Sequence, residues 1–160
     1  MIIPLFDYLI GNTDRHQNNW AAIYEDGNLR FSPLYDNSSS LCAYLTEKDL
    51  VACLGNDRMK WQSVVDTKSR SIIRITSDDV QRPTHLEVLK YIKENYYEDT
   101  KEIASKMILR ITEENIDKIL EQYSDVHLLI NMKKVIKKFL LSKVDMMQEV
   151  YFGKEEQNVD

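Results

Sequence analysis

Near the start of the chain the apolar residues Ile3, Leu5, Phe6, Leu9 and Ile10 recur at helical spacing, which predicts a helix over 3–11 with one buried side. Gly11 stops it, because glycine accepts the left-handed backbone common just past a helix end. Residues 20–24 and 29–33 read as a hairpin. Both runs are rich in aromatic and apolar residues, and Glu25-Asp26-Gly27-Asn28 between them is strong turn chemistry. Asn37-Ser38-Ser39-Ser40 forms a polar turn, followed by a short apolar segment over 41–45. Thr46 then caps a helix over 47–54, ended by Gly55-Asn56.

The pattern over 57–79 is mixed. Trp61, Val64, Val65, Ile72, Ile73 and Ile75 suggest short buried pieces between charged turns, with no element assigned. From Pro83 onward the period is helical. Thr84-His85-Leu86-Glu87 has the capping-box pattern and opens a helix carrying Leu89, Ile92 and Tyr96. A second helix starts near Asp99 or Thr100, with Ile103, Met107, Ile108 and Ile111 on one face. Thr112 opens a third, where Ile116, Ile119, Leu120 and Tyr123 share a face. The last runs over 125–151, with Leu129, Ile130, Ile136, Phe139, Leu140, Met147 and Val150 as its inner stripe. The predicted fold is mainly α with one or more small β-hairpins near the N-terminal end. A polar, acidic tail covers 153–160.

A chain of 160 residues suffices for one domain with a real core. Apolar and charged content is near globular averages, which excludes disordered and fibrous classes. No apolar run reaches the length of a membrane span. The N-terminus lacks a basic leader and meets Asp7 at once, so a cytoplasmic location is expected. Cys42 and Cys53 match no zinc spacing and read as reduced buried thiols. His16, His85 and His127 are scattered and offer no metal cluster. A formal net charge of −5 argues against direct nucleic-acid binding. Lys133, Lys134, Lys137 and Lys138 lie on one face of the last helix; a solvated face is the plain reading, a docking patch for an acidic partner the other.

The candidate chemistry lies at Asn12-Thr13-Asp14-Arg15-His16-Gln17-Asn18-Asn19 and at Pro33-Leu34-Tyr35-Asp36-Asn37. Phosphoryl transfer needs a carboxylate to orient a hydroxyl nucleophile, plus an amide oxygen and a second carboxylate for the magnesium on the ATP phosphates. Four residues separate Asp14 from Asn19, the spacing of a kinase catalytic loop. The hairpin carries the chain away from Asn19 and back, so that Asp36 can return beside the loop. Arg15 either pairs with a nearby carboxylate and fixes the loop or contacts phosphate; the first is favoured, since arginines beside catalytic aspartates often position them.

Residues 6–20, from Phe6-Asp7-Tyr8-Leu9-Ile10-Gly11 through Asn19-Trp20, resemble the catalytic loop of HipA-type bacterial serine/threonine kinases. Residues 32–41, around Pro33-Leu34-Tyr35-Asp36-Asn37, resemble their metal-binding segment. The shorter G-x-x-D-R-H-x-x-N core is also similar to phosphoinositide kinases, but Pro-Leu-Tyr-Asp-Asn favours the HipA type. The resemblance implies a kinase C-terminal lobe over 1–152, with its motifs in 6–41 and a helical remainder over 84–152. It implies that Asp14 is the catalytic base and that Asn19 and Asp36 ligate Mg2+. His16, Gln17, Asn18 and Asn19, with Tyr35 and Asp36, would line the nucleotide site for ATP. A toxin–antitoxin setting, a protein substrate and a DNA-binding antitoxin partner follow from the same resemblance.

One departure from that family is large. Kinases close ATP under a smaller lobe that supplies a Gly-rich loop and a lysine. Here Gly11, Gly27, Gly55 and Gly153 are isolated, and the loop begins at Asn12. The expectation is therefore a catalytic lobe that is inactive until an N-terminal lobe is supplied, by a longer gene product or a partner chain. The alternative is a non-catalytic helical interaction scaffold derived from such a kinase.

Overall fold

The computed structural model of the chain describes residues 2–78 and 80–153 and is mainly helical, with a two-stranded antiparallel hairpin. Helix α1, Ile2–Ile10, buries Leu5, Tyr8 and Leu9 and carries Asp7 into the interior beside them. It ends at Gly11, whose φ of +64° favours glycine; a Cβ there would stand 2.7 Å from Phe139 Cζ. Strands β1, Ala22–Glu25, and β2, Asn28–Phe31, pair with Ala22 opposite Phe31. Asp26 and Gly27 both take positive φ, the primed turn geometry that matches strand twist. The ladder is shorter than expected. Beyond Ala21 and Ser32, which still exchange hydrogen bonds, Pro33 has no N–H to continue it.

Helix α2, Glu47–Leu54, starts at a complete capping box on Thr46, as its sequence predicts. The described part of the unassigned stretch, 57–78, consists of helix α3, Arg58–Gln62, a π-helical turn at Ser63–Thr67 and an irregular segment. A β-bridge joins Arg70 to Thr84.

Helix α4, His85–Arg110, consists of two helical stretches joined across a kink, where two separate helices were expected. The discontinuity falls at Tyr96, whose φ of −140° is not helical. The carbonyl of Tyr96 accepts from Thr100 Oγ1 at 2.7 Å, and the Tyr151 hydroxyl donates to Thr100 at 3.0 Å. Those partners satisfy the break, so the helix bends instead of ending.

Helix α5, Glu113–Leu120, opens at Thr112 as expected. Of its predicted face Ile116 is buried, but Ile119 and Tyr123 are exposed. Helix α6, Ile130–Phe152, begins later than predicted because His127 and Leu128 turn their N–H groups back to the Ser124 carbonyl. Leu129 and Ile130 are consequently exposed at the α5–α6 corner, whereas Ile136, Phe139 and Met147 are buried. Of the polar tail predicted over 153–160, residues 154–160 lie outside the described residues, as do Met1 and Asp79.

The core consists of two clusters that meet along α6. One joins Leu5, Tyr8 and Leu9 to Leu89, Ile92 and Met147; the other joins Leu50, Val64 and Val65 to Val135 and Phe139. Cys42 and Cys53 are free thiols in the second cluster, and burial pushes the Cys42 thiol up to about 12, which makes it unreactive. Three of the four helix lysines are engaged internally. Lys133 pairs with Asp125, Lys137 with Glu113 and Asp117, and Lys138 donates to the Cys53 carbonyl while lying 4.1 Å over the Trp61 ring. No helix among the described residues is long and apolar enough to cross a membrane.

Two ionisable side chains are sealed behind α1. Lys143 donates to Ser69 Oγ at 3.2 Å and lies 4.6 Å over the Tyr8 ring; burial pulls its pKa down to about 8. Burial, with the Lys143 charge beside it, pulls His85 from 6.5 down to about 3.

Two outcomes follow. Gly11→Ala adds both a strained φ and a clash with Phe139, and should lower unfolding free energy by about 2 kcal/mol or more in urea titration. A loss within a few tenths would mean that the helix end simply shifts. His85 stays neutral in the native state, so between about pH 3 and 6.5 only the unfolded chain takes up its proton, and stability rises with pH across that window. Its contribution should leave the protein ~2 kcal/mol less stable at pH 5 than at pH 7. His85→Asn should remove that part of the slope; an unaltered slope would assign the pH dependence to other groups.

Candidate active site

The loop over 12–19 leaves α1 already tied to it. Asn12 donates its N–H to the Asp7 carbonyl at 3.0 Å, and its Oδ1 accepts the Asp14 N–H at 3.0 Å. The Asp14 carbonyl accepts from His16 N at 2.9 Å and from Asn19 Nδ2 at 2.7 Å. The main chain of Asp14 is thus held on both sides. Its half-buried carboxylate has no hydrogen-bond partner among the described residues. A short 3-10 turn at Gln17–Asn19 closes the loop, with His16 Nδ1 accepting the Asn18 N–H at 3.2 Å. Asn19 is 2 % exposed, whereas Gln17 and Asn18 face solvent.

Arg15 organises what surrounds this loop. It is 3 % exposed, and each of its five N–H groups has an acceptor. Nε and Nη2 grip the Asp7 carboxylate at 2.9 to 3.1 Å. Nη1 donates to the carbonyls of Asn19, at 3.1 Å, and Tyr35, at 2.9 Å. The remaining Nη2 proton goes to Asn37 Oδ1. No donor is left for a phosphate, so the geometry suits a loop-fixing group. Burial lifts the Asp7 carboxyl above its ordinary range, and the paired guanidinium opposes that lift.

The second motif is drawn in by the same side chain. Tyr35 and Asn37 both bond Arg15, and Asp36 projects between them at a φ of 53°, exposed, with Ser38 Oγ donating to its Oδ1 at 2.9 Å. An aspartate tolerates this conformation better than most residues, yet it is held there by neighbours rather than by preference. Ser39 and Leu41 anchor the far end: Thr13 N donates to the Ser39 carbonyl at 3.1 Å, and Leu41 N to the Ile10 carbonyl at 2.7 Å.

Asp14, Asn19 and Asp36 are therefore carried on segments that share Arg15 or its partners. His16 is turned onto its own loop. Gln17 instead lines an apolar groove of about 880 Å³ together with Ile2, Trp20, Phe31, Leu34 and Ile103. Sequence reasoning missed Asp7, Asn12 and Asn37. Asp7 carried a signal, since an acid among Leu5, Tyr8 and Leu9 on a buried helix face needs a cationic partner. Asn12 and Asn37 carried none beyond adjacency to the motifs.

Asp7→Asn leaves the buried guanidinium short of its counter-charge and should cost about 3–5 kcal/mol of stability in urea unfolding. Arg15→Lys keeps the charge but cannot reach three segments at once, and should cost a comparable amount. A loss under about 0.5 kcal/mol in both, the range of a solvated surface pair, would contradict this geometry.

The HipA-like C-terminal domain family matches residues 3–126, which takes in α1, both motif segments and α2 to α5. No curated protein and no solved structure matches the chain. With the greater part of its length matched, and with both motifs inside the match, the chain belongs to the HipA-like C-terminal domain family.

Proposed function

We propose that the chain is the catalytic lobe of a serine/threonine protein kinase of HipA type, moving the γ-phosphoryl group of ATP to a protein hydroxyl. The observation that carries this reading is the Arg15 fork, which binds the base-bearing loop and the segment around Asp36 to one buried guanidinium. Asp14 accepts the proton of the substrate hydroxyl as its oxygen attacks the γ-phosphorus and ADP leaves. Its fixed main chain and unengaged carboxylate suit that task. Asn19 donates through Nδ2 to the Asp14 carbonyl, which keeps its Oδ1 for a cation.

An amide oxygen and a carboxylate form the hard oxygen set that Mg2+ takes alongside phosphates, so Asn19 and Asp36 fit that ion. Magnesium held there supplies charge neutralisation on the phosphates. The exposed Gln17, Asn18 and Tyr35 are the side chains on offer to the nucleotide. Arg15 positions both segments.

Contacts that cover the phosphates have no counterpart among the four isolated glycines of this sequence. They belong to an N-terminal lobe, in the same gene product or in a partner chain. The apolar groove beside Trp20 and Phe31 supports a covering polypeptide of that kind. An antitoxin partner and a cytoplasmic setting belong to the same proposal. A non-catalytic scaffold is the second reading, favoured by that same groove, and the two part on nucleotide binding.

Isothermal titration of these 160 residues should find Mg-ATP binding weaker than the low-micromolar range. Mn2+ with ATP, added to the 15N-labelled chain, should broaden the amide signals of Asn19 and Asp36 first, and Asp36→Ala should abolish this. Broadening elsewhere, or none with millimolar Mn-ATP, would overturn the kinase reading and leave the scaffold. With an N-terminal lobe supplied, Asp14→Asn should lower transfer by about 10²–10⁴-fold.

A further inference from the structure

Asp14, Asn19 and Asp36 leave one close neighbour without a task. Ser38 lies just past Asp36, exposed, in the polar turn over 37–40. Its hydroxyl donates to Asp36 Oδ1 at 2.9 Å. A serine in an exposed turn needs no reason beyond solvation, and such hydroxyls commonly turn to water or to nearby main chain. Ser40 does the latter, giving its proton to the Asn37 carbonyl. Ser38 instead gives its proton to the acid that the second motif carries.

The bond joins side chains whose main chain is already fixed. Asp36 stands between Tyr35 and Asn37, and both of those accept from Arg15. Ser38 stands between Asn37 and Ser39, whose carbonyl accepts the Thr13 N–H at 3.1 Å. Little backbone freedom is therefore lost when the hydroxyl meets the carboxylate. What the bond adds is orientation. Asp36 Oδ1 is engaged, whereas Oδ2 has no hydrogen-bond partner among the described residues. The carboxylate can then offer a cation one oxygen at full strength rather than both together.

That difference separates divalent ions. Mg2+ is small and demands near-octahedral geometry, and the two oxygens of one carboxylate sit too close together to fill adjacent corners of its octahedron. Ca2+ takes more ligands at longer range and accepts a carboxylate by one oxygen or by both. An acid with one oxygen already engaged suits the first ion and handicaps the second.

We propose that Ser38 is a positioning and specificity-determining residue of the cation site: by holding Asp36 Oδ1 it presents Asp36 as a one-oxygen ligand and favours Mg2+ over Ca2+. The choice of ion rests on the kinase reading; the hold on Asp36 does not.

The hold is read first, with no ligand added. Three-bond couplings from the Asp36 carboxyl carbon to its own amide nitrogen and carbonyl carbon report its χ1 rotamer. They should show a single rotamer in the unaltered chain, averaging in Ser38→Ala, and the single rotamer again in Ser38→Thr, which keeps a hydroxyl. Averaging in the unaltered chain, or an unchanged rotamer in Ser38→Ala, would overturn the proposal.

Ion choice is read by competition against Mn-ATP, through recovery of the broadened Asp36 amide. Each competing ion is counted relative to the amount that displaces Mn2+ from ATP alone. The unaltered chain should need about tenfold more Ca2+ than Mg2+, whereas Ser38→Ala should need about as much of one as of the other. Ser38→Thr should keep the preference. A preference that survives in Ser38→Ala, or an equal weakening of both ions there, would overturn the selective role. Absence of broadening in the unaltered chain would remove the kinase reading and the choice of ion with it, and the couplings would still decide whether Ser38 holds Asp36.

Discussion

The guanidinium of Arg15 sits where three stretches of chain meet, and each of its five N–H groups is taken by one of them. Helix α1 contributes Asp7, the loop contributes the Asn19 carbonyl, and the returning segment contributes Tyr35 and Asn37. The arrangement depends on planar geometry. A lysine ammonium could neutralise Asp7, but it could not present donors along fixed directions to all three. Burial makes the pair costly to desolvate, and the same burial makes any loosening costlier still. Loops that would otherwise wander are thereby tied to a helix in the core.

What lies behind that junction is the packing of α4 and α6. Gly11 lets the end of α1 approach Phe139 on α6 at a distance no side chain permits, and Tyr8 donates to the Lys143 carbonyl on the same helix at 2.9 Å. All of α6 lies beyond the residues matched by the family, yet it closes both halves of the core. Strain collects in the returning segment instead. Asp36, Leu41 and Cys42 all have positive φ without being glycine, and the segment is tied down by the Leu41 N–H on the Ile10 carbonyl and the Thr13 N–H on the Ser39 carbonyl. The rigid part of the protein thus constrains a strained part that carries an acid into solvent.

The open side of the site divides by polarity. Asp14, Asn18 and Asp36 give it a polar edge, while Trp20, Phe31 and Leu34 give it an apolar wall. A phosphate-bearing ligand suits the first and a packed polypeptide suits the second, which is why the kinase proposal brings a covering lobe with it. Helix lysines that first read as a solvated face or a docking patch are largely taken up by Asp125, Glu113, Asp117 and the Cys53 carbonyl. They hold α5 and α2 to α6.

Features decided within a few residues were legible in the amino-acid sequence. Thr46, Thr84 and Thr112 cap helices because each hydroxyl reaches an N–H three residues on, and Asp26-Gly27 turns the hairpin because both accept positive φ. The family was legible too, since both motif segments are contiguous strings. Whatever depended on partners distant in sequence was not. The bend at Tyr96 is satisfied by Thr100 and Tyr151, so a predicted helix end became a kink. Ile119, Tyr123, Leu129 and Ile130 have the spacing of a buried face but lie exposed, because periodicity says which residues share a side and not what covers it. The motif residues themselves were named by the sequence alone; their assembly around Arg15, and the support from Asp7, were decided by tertiary structure, because a buried charge takes its partners from whatever the fold brings within reach.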